Sequence, residues 1–248
     1  MGLRDGGLRE SLRAQGLKQG GLRASLRNLN STGPDIPDSV LDNFNADDAD
    51  PPGVYQTGET IADYYRGDTG SYERETTDAI EGSHSLATDG DGLDAIVSEP
   101  GDGLSRYHDP GETIGFLIRD SSDNHNPVFL FSAELSSGDL FGYGASLVPQ
   151  FNEIRIRKFD ADSGTSQNTA SASLSTDRWY WAEVDTPTST DGSIEFRISE
   201  LNDDLTEGSS IGSVSTTDTD FGDNRGHGLT RLSSSGLGLT LDWVRVIE

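Results

Sequence analysis

Between residues 60 and 248, apolar and polar positions alternate in short runs. In NEIRIRKFD, Ile154 and Ile156 alternate with Glu153, Arg155 and Arg157; in SIEFRISEL, Ile194, Phe196 and Ile198 alternate with Glu195, Arg197 and Ser199. Successive side chains of a strand point to opposite faces, so each run predicts a strand with one buried and one wet face. ADYYRGD, SYERETT, GSHSLAT, DAIVSE, TIGFLIRD, VFLFSAE, YGASLVP, TASASLS, RWYWAEVD, SIGSVST, HGLTRLS and LGLTLDWVRVIE read as further strands, divided by Gly, Asp and Ser turns. No stretch of this region supports a long amphipathic helix. The pattern predicts an all-β protein, a two-layer antiparallel sandwich, for which about 190 residues is a comfortable size.

The first thirty residues follow another pattern. GGLRESLR returns fourteen residues later as GGLRASLR, and Leu3, Leu8, Leu12, Leu17, Leu22 and Leu26 each precede a cation: Arg4, Arg9, Arg13, Lys18, Arg23 and Arg27. The leucine spacings of 5, 4, 5, 5 and 4 match neither a helix nor a strand. Six glycines each penalise a helix by about 1 kcal/mol relative to Ala. Residues 1–30 therefore read as an extended arm without a stable fold of its own. No apolar run long enough for a signal peptide occurs there, so cytoplasmic synthesis without Sec export is expected.

Charge sharpens the contrast. The chain carries 43 acidic residues against 16 Arg and 2 Lys, a formal charge of -25. The arm is +4 and residues 31–248 are -29. An Asp-rich, Lys-poor surface repels itself at low salt and is screened at high salt, as in halophilic proteins. Such a surface argues against nucleic acid, and the arm has no aromatic residues to stack on bases. Repeated Leu-Arg pairs suit docking, with Leu buried in a partner groove and Arg meeting a carboxylate. An assembly arm is preferred over a tail without a role and over a nucleic-acid tail, and a homo-oligomer is expected. No membrane insertion is expected. Cysteine is absent, which excludes disulfides and thiolate chemistry.

Residues 31–59 hold Pro34, Pro37, Pro51 and Pro52 around an Asp-rich centre and read as an extended acidic linker with at most one short turn at SVLDNF. Asn30-Ser31-Thr32 is a glycosylation sequon that matters only on export. The globular domain is expected to begin at residue 60.

Three segments of that domain carry a family resemblance. GSHSLATDGDGLDAIVSEPG followed by PGETIGFLIRD resembles the early strands of laminin G-like jelly rolls in the concanavalin A-like lectin and glucanase group. TDRWYWAEVDTPTSTDGSIEFRISELND is similar to the group's central hairpin, and GLGLTLDWVRVIE to its terminal strand. The resemblance covers residues 60–248 and implies a jelly roll that serves as a lectin, an adhesion module or a glycoside hydrolase. With the arm added, the whole chain resembles a structural protein of a haloarchaeal tailed virus. That implies a non-enzymatic turret, spike or tail fibre on the virion surface that displays a lectin-like sandwich for attachment to host glycans. The alternative is a free or cell-surface carbohydrate-binding module.

Candidate chemistry is sparse. Family glucanases place carboxylates on one strand face as Glu-x-Asp-x-Glu or Glu-x-Asp-x-x-Glu; Glu183-Val184-Asp185 begins the pattern, and Thr186, Pro187 and Thr188 break it. No catalytic residue is assigned. Asp89, Asp91 and Asp94 on one turn offer the oxygen ligands that Ca²⁺ prefers, without an EF-hand loop. Related jelly rolls imply a second calcium position at Asp242, if Asn43 or Asp47 folds back. Tyr64, Tyr65, Tyr107, His108, Phe141 and Tyr143 lie near turns and are candidates for a glycan-stacking rim. Trp179 and Trp181 share one face of their strand and Tyr180 the other; the indoles are expected in the core. His84, His108, His125 and His227 show no ligand spacing.

Overall fold

A computed structural model describes residues 39–45, 54–56, 58–76, 79–88, 95–120, 126–232 and 239–247. Fifteen strands are described: β1 (Val40–Asp42), β2 (Arg66–Gly67), β3 (Tyr72–Glu75), β4 (Ser85–Thr88), β5 (Ile96–Ser98), β6 (Thr113–Asp120), β7 (Pro127–Ser136), β8 (Asp139–Val148), β9 (Glu153–Asp160), β10 (Ser163–Ser171), β11 (Arg178–Asp185), β12 (Ser193–Leu201), β13 (Glu207–Thr217), β14 (Gly226–Arg231) and β15 (Leu239–Ile247). Three single-turn 3-10 segments, Ile61–Asp63, Thr69–Ser71 and Pro149–Phe151, are the described helical structure. One sheet runs β13-β12-β11-β6-β15-β4-β3, with β1 also paired to β15; the other runs β10-β9-β8-β7-β14-β5-β2. The strand pairs are antiparallel. This is the antiparallel jelly-roll sandwich that the alternation predicts.

The core lies between the sheets. On β11, Tyr180, Ala182 and Val184 are buried; on β12, Ile194, Phe196 and Ile198; on β9, Ile154 and Ile156. Phe116 of β6 stacks on Phe129 of β7 with centroids 4.0 Å apart, joining the layers. Offset stacks of this kind add to the stabilisation that area burial gives. β7 is buried on both faces. Phe129 and Phe131 enter the main core, while Val128 and Leu130 join a second apolar cluster with Val97, Ala133, Leu140 and Phe159.

The expected linker does not stay outside the sandwich. Val40–Asp42 pairs with β15, and Leu41, Phe44 and Tyr55 are buried in the main core. SVLDNF supplies two large apolar anchors, and burying each is worth about 2 kcal/mol, so this part packs instead of remaining extended. The candidate TASASLS is displaced: β10 ends at Ser171 and begins at Ser163. ADYYRGD holds only the two-residue β2, because Tyr64 and Tyr65 turn into the core after the Ile61–Asp63 turn.

Candidate functional site

The indoles of Trp179 and Trp181 do not enter the core. Tyr180 takes the inward position on β11, where its hydroxyl accepts from the Ser175 amide (2.6 Å) and donates to the Ser175 carbonyl (3.1 Å). The period of two then turns Trp179, Trp181, Glu183 and Asp185 to the outer face, each half-buried. Trp243 joins them through a bulge: the β15–β6 register shifts between Leu241 and Val244, and the Trp243 ring lies 5.1 Å from Trp181, edge to face. Gly115 on β6 makes room for it, since a Cβ there would stand 2.6 Å from Ile247 and 3.4 Å from Trp243. The chain has three tryptophans, and all three lie on this side of the eight-stranded sheet, Trp179 and Trp181 half-buried and Trp243 fully buried.

Polar groups are interleaved with the rings. Trp181 Nε1 donates to Glu183 Oε1 (2.9 Å). Arg197 of β12 faces Glu183 in register. Its Nη1 donates to Asp185 Oδ2 (2.6 Å) and Glu195 Oε2 (3.2 Å), and its Nη2 to Asp185 Oδ1 (2.8 Å) and Glu183 Oε2 (3.3 Å). Thr113 Oγ1 donates to Asp185 Oδ1 (2.7 Å). The Arg197 bonds hold the Asp185 carboxyl below the usual carboxylate range, with help from Thr113 and against partial burial. Arg119 lies 5.4 Å over Trp179, and Arg245 lies 3.6 Å over Trp243 while donating to Glu81 (2.9 Å). The face offers the half-buried indoles of Trp179 and Trp181 for stacking, with the buried Trp243 behind them and carboxylates, a guanidinium and a hydroxyl beside them for hydrogen bonding. Asp185, held ionised, is unsuited to protonate a leaving oxygen.

The aromatic rim expected from the turns is mostly interior. Tyr64, Tyr65, Tyr107, His108 and Tyr143 are buried, and Phe141 is half-buried against Phe221, 6.3 Å away. The hydroxyls of Tyr64, Tyr65 and Tyr143 donate to Val54 O (3.0 Å), Asp42 Oδ2 (2.9 Å) and Asp218 Oδ1 (2.6 Å), and that of Tyr107 pairs with Ser98 Oγ (3.3 Å). These rings close the ends of the core, and their polar tips are satisfied internally, so they offer no sugar platform. Phe221, missed in the sequence, packs with Tyr143 (5.5 Å).

Asp242 is buried, with its oxygens taken by backbone amides: Oδ2 accepts from Ile80 (2.7 Å) and Glu81 (3.1 Å), and Oδ1 from Trp243 (2.8 Å). It anchors a loop. Burial pushes its carboxyl up to about 7 despite these bonds. Asn43 is buried and Asp47 lies outside the described residues, as do Asp89, Asp91 and Asp94. Among the described residues no group of three or more His, Asp or Glu is placed to hold a metal. The arm residues 1–30 and His125 also lie outside them. No described helix is long and apolar enough to cross a membrane.

No protein-family model and no curated protein matches the chain. Solved structures resemble it in fold. A protein of unknown function from Shewanella oneidensis MR-1 is 13% identical, with a TM-score of 0.52, covering 90% of this chain and 92% of that one. A GH43 protein, BlXynB, from Bacillus licheniformis is 13% identical with a TM-score of 0.50, covering 88% of this chain and 41% of its own. The carbohydrate-binding module CBM66 from Bacillus subtilis is 14% identical with a TM-score of 0.45, covering 71% and 93%. The fold is a jelly-roll sandwich of the concanavalin A-like type. Nothing in these likenesses bears on a virus.

Proposed function

We propose that the chain is a carbohydrate-binding protein that holds a glycan against the outer face of its eight-stranded sheet and does not cleave it. The observation that carries this reading is the pair of half-buried indoles of Trp179 and Trp181 on that face, backed by the buried Trp243 and set beside the Glu183–Arg197–Asp185 network. The half-buried indoles of Trp179 and Trp181 give flat apolar area for a pyranose ring, and the flanking charged groups match hydroxyls. The ionised state of Asp185 and the broken Glu-x-Asp pattern favour binding over hydrolysis. Affinity electrophoresis against a panel of polysaccharides tests it. Retardation by at least one glycan, lost in Trp181→Ala without loss of fold, is the expected result; unchanged retardation in that variant, or release of reducing sugar abolished by Glu183→Gln, would refute it.

The finer reading, a virion turret, spike or tail fibre that displays this sandwich, draws on the cationic Leu-Arg arm attached to an acidic domain. Calcium at Asp89, Asp91 and Asp94 and assembly into a homo-oligomer belong to the same proposal.

A further inference from the structure

The outer face of the opposite sheet carries an arginine that the rest of the molecule leaves unsatisfied. Residues 31–248 hold 12 cations among 41 acidic residues, so partners are abundant. Arg66, Arg106, Arg119, Arg155, Lys158, Arg178, Arg197, Arg225 and Arg245 all pair with carboxylates. Arg74 donates to the carbonyls of Phe44 and Glu59. Arg231 also has a partner. Among the described residues, Arg157 meets neither a carboxylate nor a carbonyl, and its Nε is buried without an acceptor, as is one nitrogen each of Arg74, Arg119, Arg231 and Arg245, which have other partners. A buried donor without an acceptor is costly, and a fold with this surplus of acid has an easy remedy that it does not use.

The surroundings define what would satisfy it. Ile154 and Ile156 point inward, so Arg155 and Arg157 stand two positions apart on the outer face of β9, about 7 Å along the strand. Across from Arg157 are Gly144 on β8 and Ser166 on β10; across from Arg155 are Ser146 and Thr169. None of these carries a negative charge. The space over Gly144 is taken by Val128 and Phe159, an apolar wall at that end of the row. Burial and the neighbouring Arg155 lower the Arg157 guanidinium to about 10. At the other end of the row, Phe151 is 60% exposed, the one large apolar side chain so exposed among the described residues, and it lies 5.6 Å from the Arg155 guanidinium. Arg155 itself is engaged by Glu153 (2.6 Å).

We infer that β9 carries a second binding site, in which Arg157 receives the carboxylate or sulfate of an acidic oligosaccharide and Phe151 stacks on a neighbouring sugar ring. The planar guanidinium fork suits a two-oxygen anion, which would also give the buried Nε its acceptor. The separation between Phe151 and Arg157 calls for a short chain and not a single sugar. This site is on the sheet opposite the tryptophans and stands or falls apart from them.

Titration calorimetry on the full chain tests it with three probes: trigalacturonate, the neutral galactose trimer and inorganic sulfate. Wild type is expected to bind trigalacturonate, and Arg157→Gln to lose at least about tenfold in affinity with an unchanged or higher Tm, because no internal bond is removed. Phe151→Ala should weaken the acidic trimer and leave sulfate unaffected, which separates a sugar acid from a free anion. Trp181→Ala should leave trigalacturonate binding intact even where it abolishes binding at the other face. If Arg157→Gln does not fold, Arg157→Lys, which keeps the charge and loses the fork, carries the test with the same tenfold loss. Equal binding of acidic and neutral trimers, no binding of trigalacturonate by wild type, or undiminished affinity in a folded Arg157 variant would each overturn the proposal.

Discussion

Arg197 stands directly opposite Glu183 in the β11–β12 register, yet its two shortest bonds, 2.6 and 2.8 Å, go to Asp185 one diagonal step away. The bidentate pair fixes the plane of the guanidinium and leaves Glu183 sharing its attention with the Trp181 indole. Replacing Arg197 by Met should therefore act on recognition more than on folding. The pair is partly exposed, so its loss should cost about 1 kcal/mol or less in urea melts, while glycan retardation should fall severalfold. Asp185 contributes stability above its unfolded pKa, lost as pH falls through its depressed folded value, so the difference between wild type and Arg197→Met should narrow in acid. A constant difference down to pH 2 would contradict this.

His227 offers a sharper pH test. It is buried with both ring nitrogens unpartnered, facing Tyr65 (6.2 Å), Tyr107 (6.1 Å) and His108, and burial followed by the His108 charge lowers it to about 3. The unfolded chain takes up a proton near pH 6.5 that the fold refuses, so stability from this group is present above 6.5 and declines as pH falls toward 3. His108, lowered to about 4, adds to the same decline. His227→Phe should move the midpoint of acid unfolding to lower pH. An unmoved midpoint would show that another group governs the acid limb.

Asp42 works in the opposite direction. It accepts from the Phe44 amide (2.8 Å) and the Tyr55 and Tyr65 hydroxyls (3.1 and 2.9 Å), with Arg74 nearby, yet burial raises it to about 6. Here the fold holds a proton that the unfolded chain releases above pH 3.8, so its contribution is full below 3.8 and declines as pH rises through 6. Asp42→Asn should remove that decline and show less loss of stability between pH 4 and 7 than wild type. A parallel pH profile in the two proteins would count against it.

Asp242 ties the Ile80–Glu81 loop to β15. Asp242→Ala leaves three buried or half-buried amides without their acceptor and should cost about 1–3 kcal/mol per amide left unpaired, less where water enters. Amide exchange at Ile80 and Glu81 should accelerate well before global unfolding. Protection equal to wild type at both positions would mean that the loop is held elsewhere.

Deleting residues 1–30 should leave the melting transition of the sandwich unchanged and abolish self-association measured by sedimentation. An intact oligomer after deletion would remove the assembly role from the arm.

The layers and most strands were legible because period-two alternation needs only local sequence: β9 at Ile154 and Ile156 and β12 at Ile194, Phe196 and Ile198 follow their apolar sets. Direction was not legible. RWYWAEVD alternates equally well with Trp or Tyr inward, and what settles it is the bond between the Tyr180 hydroxyl and Ser175 together with the bulge that brings Trp243 beside Trp181. The turn aromatics misled for a related reason. Tyr64, Tyr65 and Tyr143 look exposed beside polar neighbours, but their hydroxyl partners, Val54, Asp42 and Asp218, are 10, 23 and 75 residues away. Residues 39–45 look like linker for want of alternation, although Leu41 and Phe44 are buried. Arg197 was visible as a polar-face residue; that three carboxylates converge on it was not.

β15 lies between β6 and β4 and carries β1 on its flank. The last described strand is thus the keystone of the eight-stranded sheet, and until it arrives β6 and β4 each present an open edge in a partly collapsed layer. On a ribosome this domain must wait for residue 247 to clear the exit tunnel before that sheet can close, and an intermediate with two unpaired hydrophobic edges is the form most prone to pairing with its neighbours. The acidic character of the chain then has a use during synthesis as well as afterwards: mutual repulsion keeps nascent copies apart through the interval in which the sheet lacks its centre.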